Sequence, residues 1–222
     1  MRRVLVLVLV LLALALAAPA AFAGAACPAS CATNSVTTAC TSAASRDSST
    51  TEGCAYGGVF TTRAKFDHVA GTYAVAVHAC SFAGPTPYAA VEARDRFQLV
   101  GPSGGGAIAF EARLHANGGT DGTGSAGLAL METGGGVASV NEGTVGGYDT
   151  DLVLPLAHAV GEEFELVIDG YVSAPQFAQT TGAFGFAGLP PGYGLVSCKG
   201  FAGDGAVPAR AGSWGAIKIR YR

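Results

Sequence analysis

Four histidines, a scatter of carboxylates and six cysteines are the residues of this chain with chemistry to offer. His68, His78, His115 and His158 show neither His-x-His nor His-Glu-x-x-His spacing, so local sequence places no two of them on one metal ion. Structural roles are the expectation. Glycoside hydrolysis requires two carboxyl groups about 5 to 10 Å apart across a cleft. Glu111, Glu132, Glu142, Asp149, Asp151, Glu162, Glu163 and Glu165 supply the residue type, but most stand beside basic residues or at outward positions of alternating segments. Solvated side chains do the same. Ser103, in Gly101-Pro102-Ser103-Gly104-Gly105, belongs to a hairpin-like turn and lacks the strand-to-helix setting of a nucleophile elbow. The sequence therefore carries no catalytic motif.

Two weaker constellations remain. Asp121 in a Gly/Asn/Thr loop, and Asp149-Thr150-Asp151 ahead of a strand, are hard oxygen donors of the kind calcium takes. Asx-turn chemistry accounts for the same aspartates without a metal, and no other cofactor is signalled. Tyr88, Tyr148, Tyr171, Tyr193 and Trp214 are the aromatics available for a sugar-stacking platform, with core or edge packing as the competing use.

The cysteines depend on compartment. Arg2 and Arg3 precede an unbroken apolar run from Val4 to Ala18, Pro19 ends it, and Ala21-Phe22-Ala23 offers the small residues of a signal-peptidase site. Residues 1–23 read as a general secretion signal cleaved after Ala23, with Ala25 the alternative. The run is shorter than the roughly 20 apolar residues of a membrane span. The arginines lack the polar flanks of twin-arginine signals, and Gly24-Ala25-Ala26 before Cys27 lacks the aliphatic residue usual ahead of a lipidated cysteine. Cys27, Cys31, Cys40, Cys54, Cys80 and Cys198 all follow the cleavage site, and an even number in an exported chain reads as disulfides. Fifteen pairings exist. The expectation pairs the first four locally and joins Cys80 to Cys198; zinc is disfavoured by spacings with no matching distal pair.

Composition decides what positions these residues. About 200 residues remain after cleavage, enough for one domain. The chain has 33 glycines in 222 residues and 13% charged residues against a usual ~25%, a balance of tight turns and short apolar strands. A net charge of -3 with no basic stripe excludes an electrostatic footprint for nucleic acid or an anionic membrane. Residues 24–57 form a Cys- and Ser/Thr-rich segment. Its Thr33 to Thr51 stretch buries little and reads as a stapled loop or spacer.

From residue 58 to 222 the pattern has period two. Val91, Ala93, Phe97 and Leu99 point one way and Glu92, Arg94, Arg96 and Gln98 the other, with Asp95 breaking the register. Phe110, Ala112 and Leu114 oppose Glu111, Arg113 and His115; Phe164, Leu166 and Ile168 oppose Glu163 and Glu165; Ile217, Ile219 and Tyr221 oppose Lys218, Arg220 and Arg222. Gly- and Pro-rich turns separate the segments. About ten strands result, in an all-β, two-sheet antiparallel β-sandwich of jelly-roll kind.

Ala93-Arg94-Asp95-Arg96-Phe97-Gln98-Leu99, and Phe164 to Ala174 followed by Gly188-Leu189-Pro190-Pro191-Gly192-Tyr193-Gly194 and the strand to Gly200, resemble secreted bacterial β-sandwich proteins often carrying a PEP-CTERM sorting tail. The chain ends Ser213 to Arg222 without that tail. The resemblance implies release into a surface or exopolysaccharide-matrix setting and supplies no catalytic residues. Two functions follow as expectations: a secreted, non-enzymatic structural or matrix protein with extracellular polysaccharide or cell-surface partners, or a carbohydrate-binding or carbohydrate-active sandwich.

Overall fold

The computed structural model describes residues 34–38, 42–45, 47–52, 60–79, 86–102, 106–120, 124–142, 146–201 and 206–208. Fourteen strands run through them: β1 (Asn34–Thr38), β2 (Ser42–Ser45), β3 (Ser48–Glu52), β4 (Phe60–Asp67), β5 (Thr72–Ala79), β6 (Tyr88–Val100), β7 (Ile108–Thr120), β8 (Ser125–Glu132), β9 (Val137–Glu142), β10 (Gly146–His158), β11 (Glu163–Ser173), β12 (Phe177–Ala187), β13 (Gly194–Ser197) and β14 (Ala206–Pro208). No helix occurs among them, so none crosses a membrane. The signal segment 1–23, Cys27, Cys31, Cys40, Cys54, Cys80, Ser103, Asp121, Trp214 and the strand expected around Ile217 to Tyr221 lie outside the described residues.

The strands form two sheets. One has eight members, in the order β14-β13-β6-β11-β8-β9 with β1 also on β6 and β2 on β1; the other runs β10-β7-β12-β5-β4-β3. Every ladder is antiparallel except β13 with β14. The two-sheet antiparallel sandwich read from the sequence is the fold observed, with fourteen strands rather than about ten. Part of the excess comes from the Ser/Thr-rich stretch, whose described residues are almost all in strands. Its residues supply β1 and β2 to one sheet and β3 to the other, because Asn34, Val36 and Thr38 alternate inward and are small enough to pack at a sheet margin. The sandwich therefore begins by residue 34, ahead of the boundary expected at 58.

Alternation sets the core. Inward residues of β6, β7 and β11, including Phe97, Leu99, Phe110, Leu114, Phe164 and Leu166, are buried as the sequence pattern requires. Phe97 is the hub of a ring cluster, with centroids 5.0 Å from Phe186, 5.8 Å from Phe164, 6.2 Å from Phe184 and 6.3 Å from Phe201. Burying one such side chain contributes about 1.5–3 kcal/mol, and each well-oriented ring pair adds about 0.5–1.5 kcal/mol.

One edge of β6 is shared. Its first half pairs with β1, from Ala89↔Thr38 to Glu92↔Ser35, and its second half pairs with β13, from Phe97↔Ser197 to Val100↔Gly194. Both partners run antiparallel to β6, so β13 and β1 lie in line, like one strand interrupted opposite residues 93–96. Asp95 faces inward at that interruption. Backbone groups stranded there find other partners: Cys198 N–H donates to the Arg96 carbonyl at 2.8 Å, and Arg94 N–H donates to Asn34 Oδ1 at 2.9 Å.

Candidate functional site

The outer face of the eight-stranded sheet gathers the residues best suited to a ligand. Tyr88 on β6 and Tyr171 on β11 are 44% and 37% exposed, although most large apolar side chains are buried. Tyr171 stands opposite Ala90 and Tyr88 opposite Ser173, which makes the two tyrosines diagonal neighbours on one face. Tyr171 lies across β8, where a Cβ on Gly127 would fall 2.8 Å from its Cε1 atom; only glycine leaves room for the ring. Ser173, Ser125, Asn141 and Thr37 occupy neighbouring outward positions.

Two residues further along the same face, Glu92 pairs directly with Asp169. Side-by-side carboxylates repel. Arg94 answers part of that charge, its Nε donating to Glu92 Oε1 at 2.7 Å while Nη1 lies 3.7 Å from Glu165. Asp169 is exposed on this face, yet desolvation by its neighbours first, then the Glu92 charge, raise its carboxyl above the usual range against the pull of Arg94. This pair was not legible in the sequence, where its members stand 77 positions apart. The carboxylates are neighbours on one sheet face rather than opposed across a cleft, an arrangement suited to accepting hydrogen bonds from hydroxyls more than to displacement at a glycosidic carbon.

The acidic residues named from the sequence are dispersed. Asp149 and Asp151 do come together, but around His115, whose Nε2 is 3.2 Å from Asp149 Oδ1 and Nδ1 2.9 Å from Asp151 Oδ1. These are exposed side chains on β7 and β10. The imidazole occupies the space between the two aspartates, and no group of three or more His, Cys, Asp or Glu side chains among the described residues is arranged to hold a metal. Glu132 and Glu162 flank His158, at 3.1 Å from Nε2 and 3.3 Å from Nδ1, while the imidazole stacks on Phe164 with centroids 4.1 Å apart. Ala159 N–H donates to Glu162 Oε2 at 2.8 Å and, with His158 beside it, holds that carboxyl below the usual range. Glu111 pairs with Arg113, Glu163 with Arg96, and Glu165 accepts from Thr133. His78 lines a groove of about 370 Å³ with Glu52, Thr61, Thr62, Arg63 and Ala76 on the other sheet.

Of the other aromatics named for a platform, Tyr148 is buried and donates to Thr180 Oγ1 at 2.6 Å, and Tyr193 packs over Gly101. They are structural. Among the described residues, Tyr88 and Tyr171 are the named aromatics that share an exposed face.

A buried polar cluster bridges the sheets beneath the interruption in the β6 edge. Asp95 Oδ2 accepts from His68 Nε2 at 2.9 Å and from the Ser197 hydroxyl, and Oδ1 accepts from Lys199 N–H at 3.1 Å. The Tyr73 hydroxyl donates to His68 Nδ1 at 2.9 Å; burial first, then the Asp95 and Asp67 charges, push that phenol well up and keep it a donor. Ser197 Oγ in turn accepts from Phe201 N–H at 2.8 Å. Ser, His and Asp are all present, but the carboxylate stands between serine and histidine, and the group is sealed from solvent. A catalytic triad needs the imidazole in the middle. The cluster is a staple, and it explains why Asp95 breaks the strand's alternation. Cys198 lies just beyond β13, and the other five cysteines lie outside the described residues.

No family model matches the chain, and no curated protein does. Among solved structures, that of TmCBM61 in complex with β-1,4-galactotriose aligns with 67% of this chain and 86% of its own, at 10% identity and a TM-score of 0.24. That likeness is too slight to define fold or function.

Proposed function

We propose that this protein is exported and acts without catalysis at the cell surface or in an extracellular matrix, holding polysaccharide on the outer face of its eight-stranded sheet. The observation that carries the reading is the pairing of exposed Tyr88 and Tyr171 beside the Glu92–Asp169 carboxylates. A tyrosine face buries the C–H side of a sugar ring, while carboxylates and the nearby Ser173 and Ser125 hydroxyls exchange hydrogen bonds with sugar hydroxyls. Export rests on the apolar N-terminal segment, and in the oxidising exterior Cys80 is the partner we assign to Cys198. Neither calcium nor another cofactor is required.

Binding isotherms over a panel of soluble polysaccharides, with and without calcium, test this. Tyr88→Ala and Tyr171→Ala should each weaken the best ligand about tenfold, a loss near 1.4 kcal/mol, while Val153→Ala on the other sheet leaves affinity unchanged. Flat isotherms across the panel would refute the binding role. Sustained release of reducing sugar by repurified protein would refute the non-catalytic one.

A further inference from the structure

Where β13 ends and β1 begins, two side chains that rarely go inside are both fully inside: Asn34 is 1% exposed and Lys199 3%. They meet there. The Lys199 amino group contacts Asn34 Oδ1, and the same oxygen accepts the Arg94 backbone N–H at 2.9 Å. The Lys199 backbone is in turn held by Asp95 Oδ1 and Ser197 Oγ, at 3.1 Å and 3.2 Å. We propose that these two side chains react with each other, joining Lys199 Nζ to Asn34 Cγ in an intramolecular amide cross-link.

Each ingredient of acyl transfer is in place. Burial disfavours an ammonium and favours the free amine, which is the nucleophilic form. The carboxamide is the electrophile, its oxygen already bound by a fixed N–H at the distance that stabilises a developing oxyanion. The reacting groups are held together by the fold, so no encounter has to be organised. The amine attacks Cγ and the Nζ–Cγ bond forms; the amine's proton passes to Nδ2, the Cγ–Nδ2 bond breaks, and ammonia leaves. One amine and one carboxamide become one secondary amide and one ammonia, with no oxidant, reductant or cofactor. Exclusion of water protects the product from hydrolysis. The cross-link would close residues 34–199 into a covalent loop.

Intact-mass spectrometry of the purified mature protein, reduced to open its disulfides, reads the reaction directly. The wild-type chain is expected to be lighter than its sequence mass by one ammonia, and digestion should yield a branched peptide whose fragments join Lys199 to Asn34. Asn34→Ala and Lys199→Met should each return the mass to the sequence value. A wild-type mass equal to the sequence value overturns the proposal. So does an ammonia loss found in an unbranched peptide, the mark of a succinimide at Asn34. Both decisive readouts come from wild-type protein, so the test holds even if the variants fail to fold.

Discussion

Removing the Asp95 carboxylate should cost this protein a large part of its stability, and the amount can be worked from its partners. The side chain has no solvent access and accepts from His68 Nε2, the Ser197 hydroxyl and the Lys199 N–H. In Asp95→Ala the Lys199 N–H keeps Ser197 Oγ at 3.2 Å, but the His68 N–H and the Ser197 O–H lose the acceptor on which they converge. An orphaned buried donor costs about 1–3 kcal/mol, and two of them about 2–6 kcal/mol. Relief from burying a charge offsets part of this, and the space left behind adds to it, so about 3–5 kcal/mol is expected, the range found when one partner of a buried pair is removed. Whole domains have about 5–15 kcal/mol. Asp95→Asn keeps the volume but points an N–H₂ at a donor, unless the His68 tautomer and the Tyr73 hydroxyl both reverse; its cost should be about half. Urea unfolding followed by far-UV circular dichroism measures both, provided the slope with denaturant is unchanged. Glu92→Ala, three residues away on the outer face, is the control and should move stability by less than about 0.5 kcal/mol. A loss below about 1 kcal/mol for Asp95→Ala would refute the view that this cluster holds the two sheets together.

Asp169→Asn should stabilise the fold at neutral pH by a few tenths of a kcal/mol, because it removes one of two like charges facing each other across β6 and β11. Its carboxyl is raised in the folded state, so the native chain holds that proton more tightly than the unfolded chain and stability falls as pH rises through the carboxylate range. The variant's advantage should therefore vanish at acid pH; thermal midpoints across a pH series measure it, and an advantage that grows on acidification would contradict the assignment. Gly71→Ala should cost about 2–4 kcal/mol, since Gly71 has φ +67° and a Cβ there would meet Phe201 Cε2 at 2.5 Å and the Phe184 carbonyl oxygen at 2.8 Å. Denaturant midpoints of this variant and of Gly134→Ala test it: Gly134 also has positive φ but open space around it, so only the smaller backbone penalty applies.

Much of this architecture is written in period-two alternation, which is strong wherever one sheet face is apolar. The inward sets of β6, β7 and β11 were readable for that reason. β1 was not, because Val36 is the single apolar residue in Asn34-Ser35-Val36-Thr37-Thr38, and the partners over which the asparagine and the inward threonine are buried lie 60 positions away at Arg94 and 51 at Ala89. Asp95 announced itself as an exception, but its reason lies with His68 and Ser197, which local spacing cannot bring together. The same holds for the candidate site. Tyr88 and Tyr171 were suspected by type; their shared face, and the Glu92–Asp169 pair beside them, follow from the register of β6 on β11. Asp149 and Asp151 were suspected together and are together, yet the calcium expectation could not foresee His115 between them.

The in-line placement of β13 and β1 on one edge of β6 has a mechanical consequence. Force applied at residues 34 and 199 themselves enters the sandwich at almost one point, because those residues touch. Tension then crosses from one to the other without passing along the 160-odd residues between them, which are spared extension for as long as that junction holds. A molecule anchored at one side of the junction and tethered at the other would transmit force while the face carrying Tyr88 and Tyr171 stayed unstretched.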